Sequence, residues 1–196
     1  MLSLSVIVYF FAIFFAYVGW QRGWTKELIA LSGIMLALFG LYEFDNLIRN
    51  VLFGDLPAPQ VYFIQATLFC VVVFFAYQTR GLDESKTVGR SRGRRSAAEQ
   101  RAETQRRALG ALAGAGNGYM IAGTLWYLLD NMYRNPLAAN QSLPNYALAP
   151  RVVLPPANTL AADMIPNLPL YILGSGEGTL LALVVVVLFV VILVII

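Results

Sequence analysis

Long, unbroken runs of apolar residues dominate this 196-residue chain. Hydrophobic residues make up 58% of it and charged residues only 13%, about half of the ~25% that soluble domains carry. A bilayer offers the backbone no hydrogen-bond partners, so a spanning segment must be a helix or part of a closed barrel. Because no alternating strand pattern accompanies the runs, the sequence predicts an all-α integral membrane protein.

Five segments are predicted to span the bilayer, which takes ~20 helical residues to cross. The first has neither the basic flank nor the small-residue cleavage site of a signal peptide and is therefore interpreted as a mature span. The second is short for a span. The fold class is thus a bundle of about five transmembrane helices, at residues 2–20, 28–42, 61–78, 108–129 and 179–196.

The distribution of basic and proline residues predicts the orientation of these spans. Eleven of the fourteen lysines and arginines fall in the links 21–27 and 79–107, whereas all nine prolines fall in 43–60 and 130–178. The positive-inside rule then places the N-terminus outside and the C-terminus in the cytoplasm. Three regions follow: a four-helix membrane region 1–131 with a basic cytoplasmic loop 79–107, a Pro-rich extracytoplasmic segment 132–178, and a C-terminal span 179–196.

The extracytoplasmic segment carries few charges for its length, which predicts that it lies at the membrane surface or packs on protein. Within it, residues 157–165 are predicted to form a short helix that ends at Pro166.

Small residues recur at helical spacing in the second and fourth spans. Such stripes allow close backbone approach between membrane helices. We therefore expect these two spans to pack on each other, either within one chain or between two copies. The stripes are Ala30, Gly33, Ala37 and Gly40 in the second span and Gly110, Gly114, Gly118 and Ala122 in the fourth.

A basic arm precedes the fourth span. Ser96 and Glu99 match a capping box, and the strong helix formers after them predict one continuous helix from residue 97 to 129. Its arginines suit anionic lipid headgroups or an acidic partner protein, or they only set topology. Nucleic acid is disfavoured because no aromatic residue lies among them. The residues concerned are Arg90, Arg92, Arg94, Arg95, Arg101, Arg106 and Arg107.

The composition argues against catalysis. The chain has no histidine and one cysteine, Cys70, so it cannot build a Ser-His-Asp or Cys-His site or an internal disulfide. No Asp, Glu, Lys or Arg is expected near mid-membrane, which disfavours a proton relay or ion pathway. We predict no catalytic residue, cofactor or metal, and expect Gln65 and Asn117 to form hydrogen bonds between helices.

Two blocks resemble the colicin V production protein (CvpA) family. GWQRGWTKELIALSGIMLAL at 19–38 resembles its first conserved block, with Arg22, Gly23 and Glu27, and RRALGALAGAGNGYMIAGTLWYLLD at 106–130 resembles its glycine-rich final helix, which ends here at Asp130. The resemblance covers about 2–131. It implies a bacterial inner-membrane protein linked to colicin V production and envelope homeostasis, with no established catalytic chemistry.

The chain departs from this family at two places. Asn117 and Gly118 stand where members commonly have Arg-Gly, and the outer segment and fifth span are additional.

Composition and resemblance together predict a non-catalytic membrane scaffold or assembly protein. It would contact anionic lipid headgroups and either other integral membrane proteins or its own copies. Two alternatives stay open: an accessory subunit of a large respiratory or photosynthetic membrane complex, and a channel or export component.

Overall fold

The computed structural model describes residues 4–78, 97–134, 154–175 and 177–195, and within these ranges the chain is helical and has no strand. Three helices, α1 to α3, are long and apolar enough to cross a membrane, as expected of an integral membrane protein. The α-helices are α1 (Leu4–Arg22), α2 (Trp24–Glu43), α3 (Ala58–Gln78), α4 (Ala97–Arg134), α5 (Leu160–Met164), α6 (Pro169–Leu173) and α7 (Thr179–Ile195).

Gly23 alone separates α1 from α2. Its φ of 81° lies in the left-handed region, which glycine enters without the steric cost that a Cβ would bring. Arg106 of α4 lies against this turn, its Nε 3.4 Å from where a Cβ on Gly23 would stand. We call this end of the bundle, with Arg22, Gly23 and Arg106, the basic end.

The opposite end, where α2 passes into α3, is irregular. A π-helical turn covers Leu47–Leu52, and Pro57 precedes α3. We call this the proline end; it also contains Asp130, near the end of α4.

The glycine stripe of α4 packs against α1, not against α2, so the predicted partner was wrong. Gly110 lies on Gly19, and a Cβ at Gly114 or Gly118 would overlap the carbonyl oxygen of Phe15 or Phe11. From one contact to the next, the residue on α4 advances by four while the residue on α1 moves back by four, as expected of two antiparallel helices. Ala122, the last member of the stripe, is buried. The expected packing of α2 on α4 is confirmed, but it uses a different face of α4, which includes Asn117, and not the glycine stripe.

The small-residue stripe of α2 meets α3 where its contact is shown. Ala30 and Ala37 are buried, and Gly33 lies on Ala76 of α3. Gly40 meets no described atom within 4 Å of a notional Cβ. Neither glycine of the stripe contacts α4, so the predicted glycine seam between the second and fourth spans is not formed.

Helix α4 is one uninterrupted helix of 38 residues, so the continuous helix predicted from residue 97 is confirmed and extends to Arg134. Ser96, the predicted cap, lies outside the described residues.

The described part of the Pro-rich segment packs on the bundle. Leu168 and Leu170 are buried, and Pro169 touches Gly123 of α4. Thr159 caps α5 by accepting a hydrogen bond from the Ala162 N–H. The chain then passes through a 3-10 turn at Ile165–Asn167 that contains Pro166, so the predicted short helix forms and ends near that proline.

Candidate functional site: two buried polar clusters

Glu27 is the centre of a polar cluster at the basic end. It is fully buried on the first turn of α2. Its Oε1 accepts a hydrogen bond from Arg22 Nη1 at 3.0 Å, and its Oε2 accepts from the Tyr77 hydroxyl at 3.1 Å and from Asn117 Nδ2 at 2.8 Å. Three donors and one opposite charge compensate this carboxylate for its burial.

Arg22 joins the cluster to the end of α3. Its Nη2 donates to the Tyr77 carbonyl at 3.2 Å, and its guanidinium carbon lies 4.6 Å from the centroid of the Tyr77 ring. A cation placed at a helix C-terminus is stabilised by the helix dipole, and the ring adds a cation–π contact. Asn117 Nδ2 also donates to the Glu27 backbone carbonyl at 3.1 Å. The cluster thus takes one residue from each of the helices α1 to α4.

The burial of an ionisable side chain inside the end of the bundle was not predicted from the sequence. Glu27 had been interpreted as the boundary of the second span, whereas α2 begins at Trp24 and encloses it. Tyr77 was not anticipated at all. The sequence signal was the pair Arg22 and Glu27 on either side of Gly23, since opposite charges that flank a one-residue turn can reach each other.

Asp45 organises a second cluster, at the proline end. Its Oδ1 accepts from Gln65 Nε2 of α3 at 3.0 Å, and its Oδ2 accepts from Arg49 Nη1 at 3.3 Å. Arg49 is buried within the π-helical turn. Both interhelical hydrogen bonds expected of Gln65 and Asn117 are therefore confirmed.

Asp130 ties the Pro-rich segment to α4 at the same end. It is fully buried, and its Oδ2 accepts from the Tyr171 hydroxyl of α6 and from Arg134 Nε, each at 2.6 Å. The Tyr171 ring meets the Tyr127 ring edge-on at 4.8 Å. Burial, followed by the hydrogen bond to Asp130, raises the pKa of Tyr171 above its ordinary value.

The described carboxylates of these clusters are engaged by arginines of the same chain. Glu27 pairs with Arg22, Asp45 with Arg49, and Asp130 with Arg134. Among the described residues, no group of three or more Cys, Asp or Glu side chains is placed to hold a metal ion. This arrangement can bind helices together, and its geometry favours that role.

The arm of α4 presents two of its predicted basic residues to solvent. Arg101 is exposed, and Arg107 is half exposed while pairing with Glu103 at 2.8 Å. Arg106 is partly buried against Gly23. The other arginines proposed for lipid or partner binding, Arg90, Arg92, Arg94 and Arg95, lie outside the described residues.

No known family, curated protein or solved structure matches this chain. The resemblance to the CvpA family therefore stays a prediction that rests on the quoted blocks. The structure places three of its four motif residues at the basic end and the fourth at the proline end. Arg22, Gly23 and Glu27 form the α1–α2 joint, and Asp130 forms the joint between α4 and α6.

Proposed function

We propose that this protein is a non-catalytic membrane scaffold of the CvpA type in the bacterial inner membrane. Five spans would run with the N-terminus outside and the C-terminus in the cytoplasm, and the basic loop and arm would meet anionic headgroups or a partner. Linkage to colicin V production and envelope homeostasis belongs to the same proposal.

The observation that carries this proposal is how the polar side chains are used. The carboxylate of Glu27 is occupied by Arg22, Tyr77 and Asn117, and Asp130 is occupied by Tyr171 and Arg134. Groups whose hydrogen-bonding capacity serves the fold are poorly placed to act on a substrate. Function then rests on the surfaces that the bundle displays.

Two such surfaces support assembly. The outward face of α1 is an apolar stripe in which Phe10, Phe14 and Tyr17 are each more than half exposed. The first turns of α4 extend past the α1–α2 turn, since Gly110 already packs on Gly19. This extension exposes Arg101 and Arg107, which suit anionic headgroups or an acidic partner.

Purification from native membranes tests the proposal. The tagged chain, extracted in mild detergent, is expected to bring down a stoichiometric partner or a second copy of itself, identified by mass spectrometry and native-gel size. A pigment- or cofactor-containing partner would assign it to an accessory subunit. A chain that migrates alone at monomer size from cross-linked native membranes overturns the scaffold proposal.

Two double variants would test whether the partner binds the outward face of α1. F10A/F14A removes two exposed rings from α1, and F74A/F75A removes two similarly exposed rings from α3. We expect the α1 pair to lower partner recovery several-fold and the α3 pair to leave it unchanged. Equal recovery from both variants would exclude the α1 face.

A further inference from the structure

The side-chain amide of Gln65 is only half satisfied. Gln65 is fully buried on α3, and its Nε2 donates to Asp45 Oδ1 at 3.0 Å. Its Oε1 is buried as well and accepts no hydrogen bond from any described residue. Buried side-chain oxygens in folded proteins almost always have a donor, and ordered water is a common one.

Exchanging the positions of Oε1 and Nε2 in the Gln65 amide would not give Oε1 a donor. It would bring Oε1 to 3.0 Å from Asp45 Oδ1, where two acceptors face each other without a proton between them. The carboxylate therefore fixes the orientation of the amide, and the oxygen is the atom that needs a donor.

Asp45 connects this oxygen to the outside of the bundle. Its side chain is 33% exposed, whereas Arg49, which donates to its other oxygen, is 6% exposed. The missing donor must be small and neutral, since a metal cation beside Asp45 would meet the guanidinium of Arg49. Water fits both conditions. We propose that Gln65 Oε1 binds a water molecule in an inlet that opens at Asp45 on the proline end and stops at Gln65.

The inlet stops because the next buried side chains of the bundle are apolar or already hydrogen-bonded. Phe69 and Val73 follow Gln65 by one and two turns of α3 and are both buried. On α4, Ile121 and Ala122 are buried between the levels of Asn117 and Asp130, and the hydroxyl of buried Thr124 donates to the Met120 carbonyl.

Asn117 offers an internal comparison, because its Oδ1 is also buried and accepts no hydrogen bond from the described residues. Its carboxylate partner, Glu27, is fully buried, and beyond it the Arg22 side chain is 20% exposed. No exposed carboxylate leads to Asn117, so the proposal covers Gln65 alone. It also stands apart from the scaffold proposal, since it concerns hydration and no partner.

Water-edited solid-state NMR tests the inlet. The full chain, labelled with carbon-13 at Gln, Asn and Phe, is reconstituted in phospholipid vesicles. Polarisation from water protons is expected to reach Gln65 Cδ several-fold faster than the Phe69 ring or Asn117 Cγ, with exposed Gln105 as the fast reference. The Gln65 signal is assigned by its loss in Gln65→Met. If that variant does not fold, a second, uniformly labelled sample of the unchanged chain assigns the signal through sequential correlations with Ile64 and Ala66.

Two results of this experiment would overturn the proposal. Transfer to Gln65 as slow as to Phe69 shows a dry site and overturns the proposal. Transfer to Asn117 as fast as to Gln65 removes the expected difference between the two amides and overturns the proposal that Gln65 alone is hydrated. Either result leaves the co-purification test of the scaffold untouched.

Discussion

Asn117 of α4 donates from one nitrogen to both the carboxylate and the backbone carbonyl of Glu27 of α2, ninety residues earlier in the chain. The contact fixes where along α4 the start of α2 can sit. Because Tyr77 and Arg22 bond the same carboxylate, one side chain aligns four helices.

Removing this carboxylate should destabilise the bundle strongly. Glu27→Leu leaves Arg22 without its opposite charge, and breaking a buried pair from one side costs about 3 kcal/mol or more. Unfolding of the purified protein in detergent would measure the loss. Glu43→Leu, at the exposed end of α2, is the matched control and should change stability little. Equal stabilities of the two variants would contradict the role given to Glu27.

Adding a single methyl group should lower stability on the close-packed face of α4 but not on its open face. Gly114→Ala drives a Cβ into the Phe15 carbonyl and should cost about 1–3 kcal/mol, whereas Gly116→Ala meets open space and should gain up to about 1 kcal/mol from helix propensity. Thermal unfolding in the same detergent compares them. A stable Gly114→Ala protein would mean that α1 and α4 do not approach in this way.

The link between α6 and α4 should weaken at high pH. Burial and the bond to Asp130 raise the pKa of Tyr171, so the folded state favours the neutral phenol. The stabilisation of the folded state by this hydrogen bond is fully present below the ordinary tyrosine pKa of about 10 and is lost as pH rises through the raised pKa. Tyrosinate absorbance of Tyr171→Phe at high pH should lack one late-titrating group that the unchanged protein shows. Identical late titration of the two proteins would contradict the role given to Tyr171.

The proposed topology predicts where single cysteines react. In a Cys70→Ser background, Arg92→Cys should resist a membrane-impermeant maleimide in intact cells and react after lysis. Asn140→Cys should react in intact cells. The physical reason is the positive-inside rule, which retains the arginine-rich loop in the cytoplasm. Labelling of Arg92→Cys from outside would reverse the whole orientation.

The helical character, three apolar helices long enough to cross a membrane and the continuous α4 could be predicted because each depends on local sequence: run length, helix formers and the absence of helix breakers suffice. The stripe at Gly110, Gly114 and Gly118 correctly marked a close-packed face. It could not identify the partner, since small residues show where backbones approach but not which backbone. Helix α1 contributes one glycine to that interface, Gly19, and two carbonyls that any sequence would have.

The polar clusters were harder to predict for a related reason. Arg22 and Tyr77 are 55 residues apart, and nothing in either local sequence indicates the other. Gln65 and Asn117 stood out as amides among apolar residues, so their interhelical bonds could be expected. Their carboxylate partners follow only from the packing of α2, which brings Glu27 and Asp45 to opposite ends of the bundle.

The unbroken course of α4 joins the two ends of the bundle. At 1.5 Å per residue its 38 residues span roughly 57 Å, and the same helix carries Arg106 at the basic end and Asp130 at the proline end. The two ends are therefore held at a fixed distance by one backbone, with no loop between them to absorb a change in length.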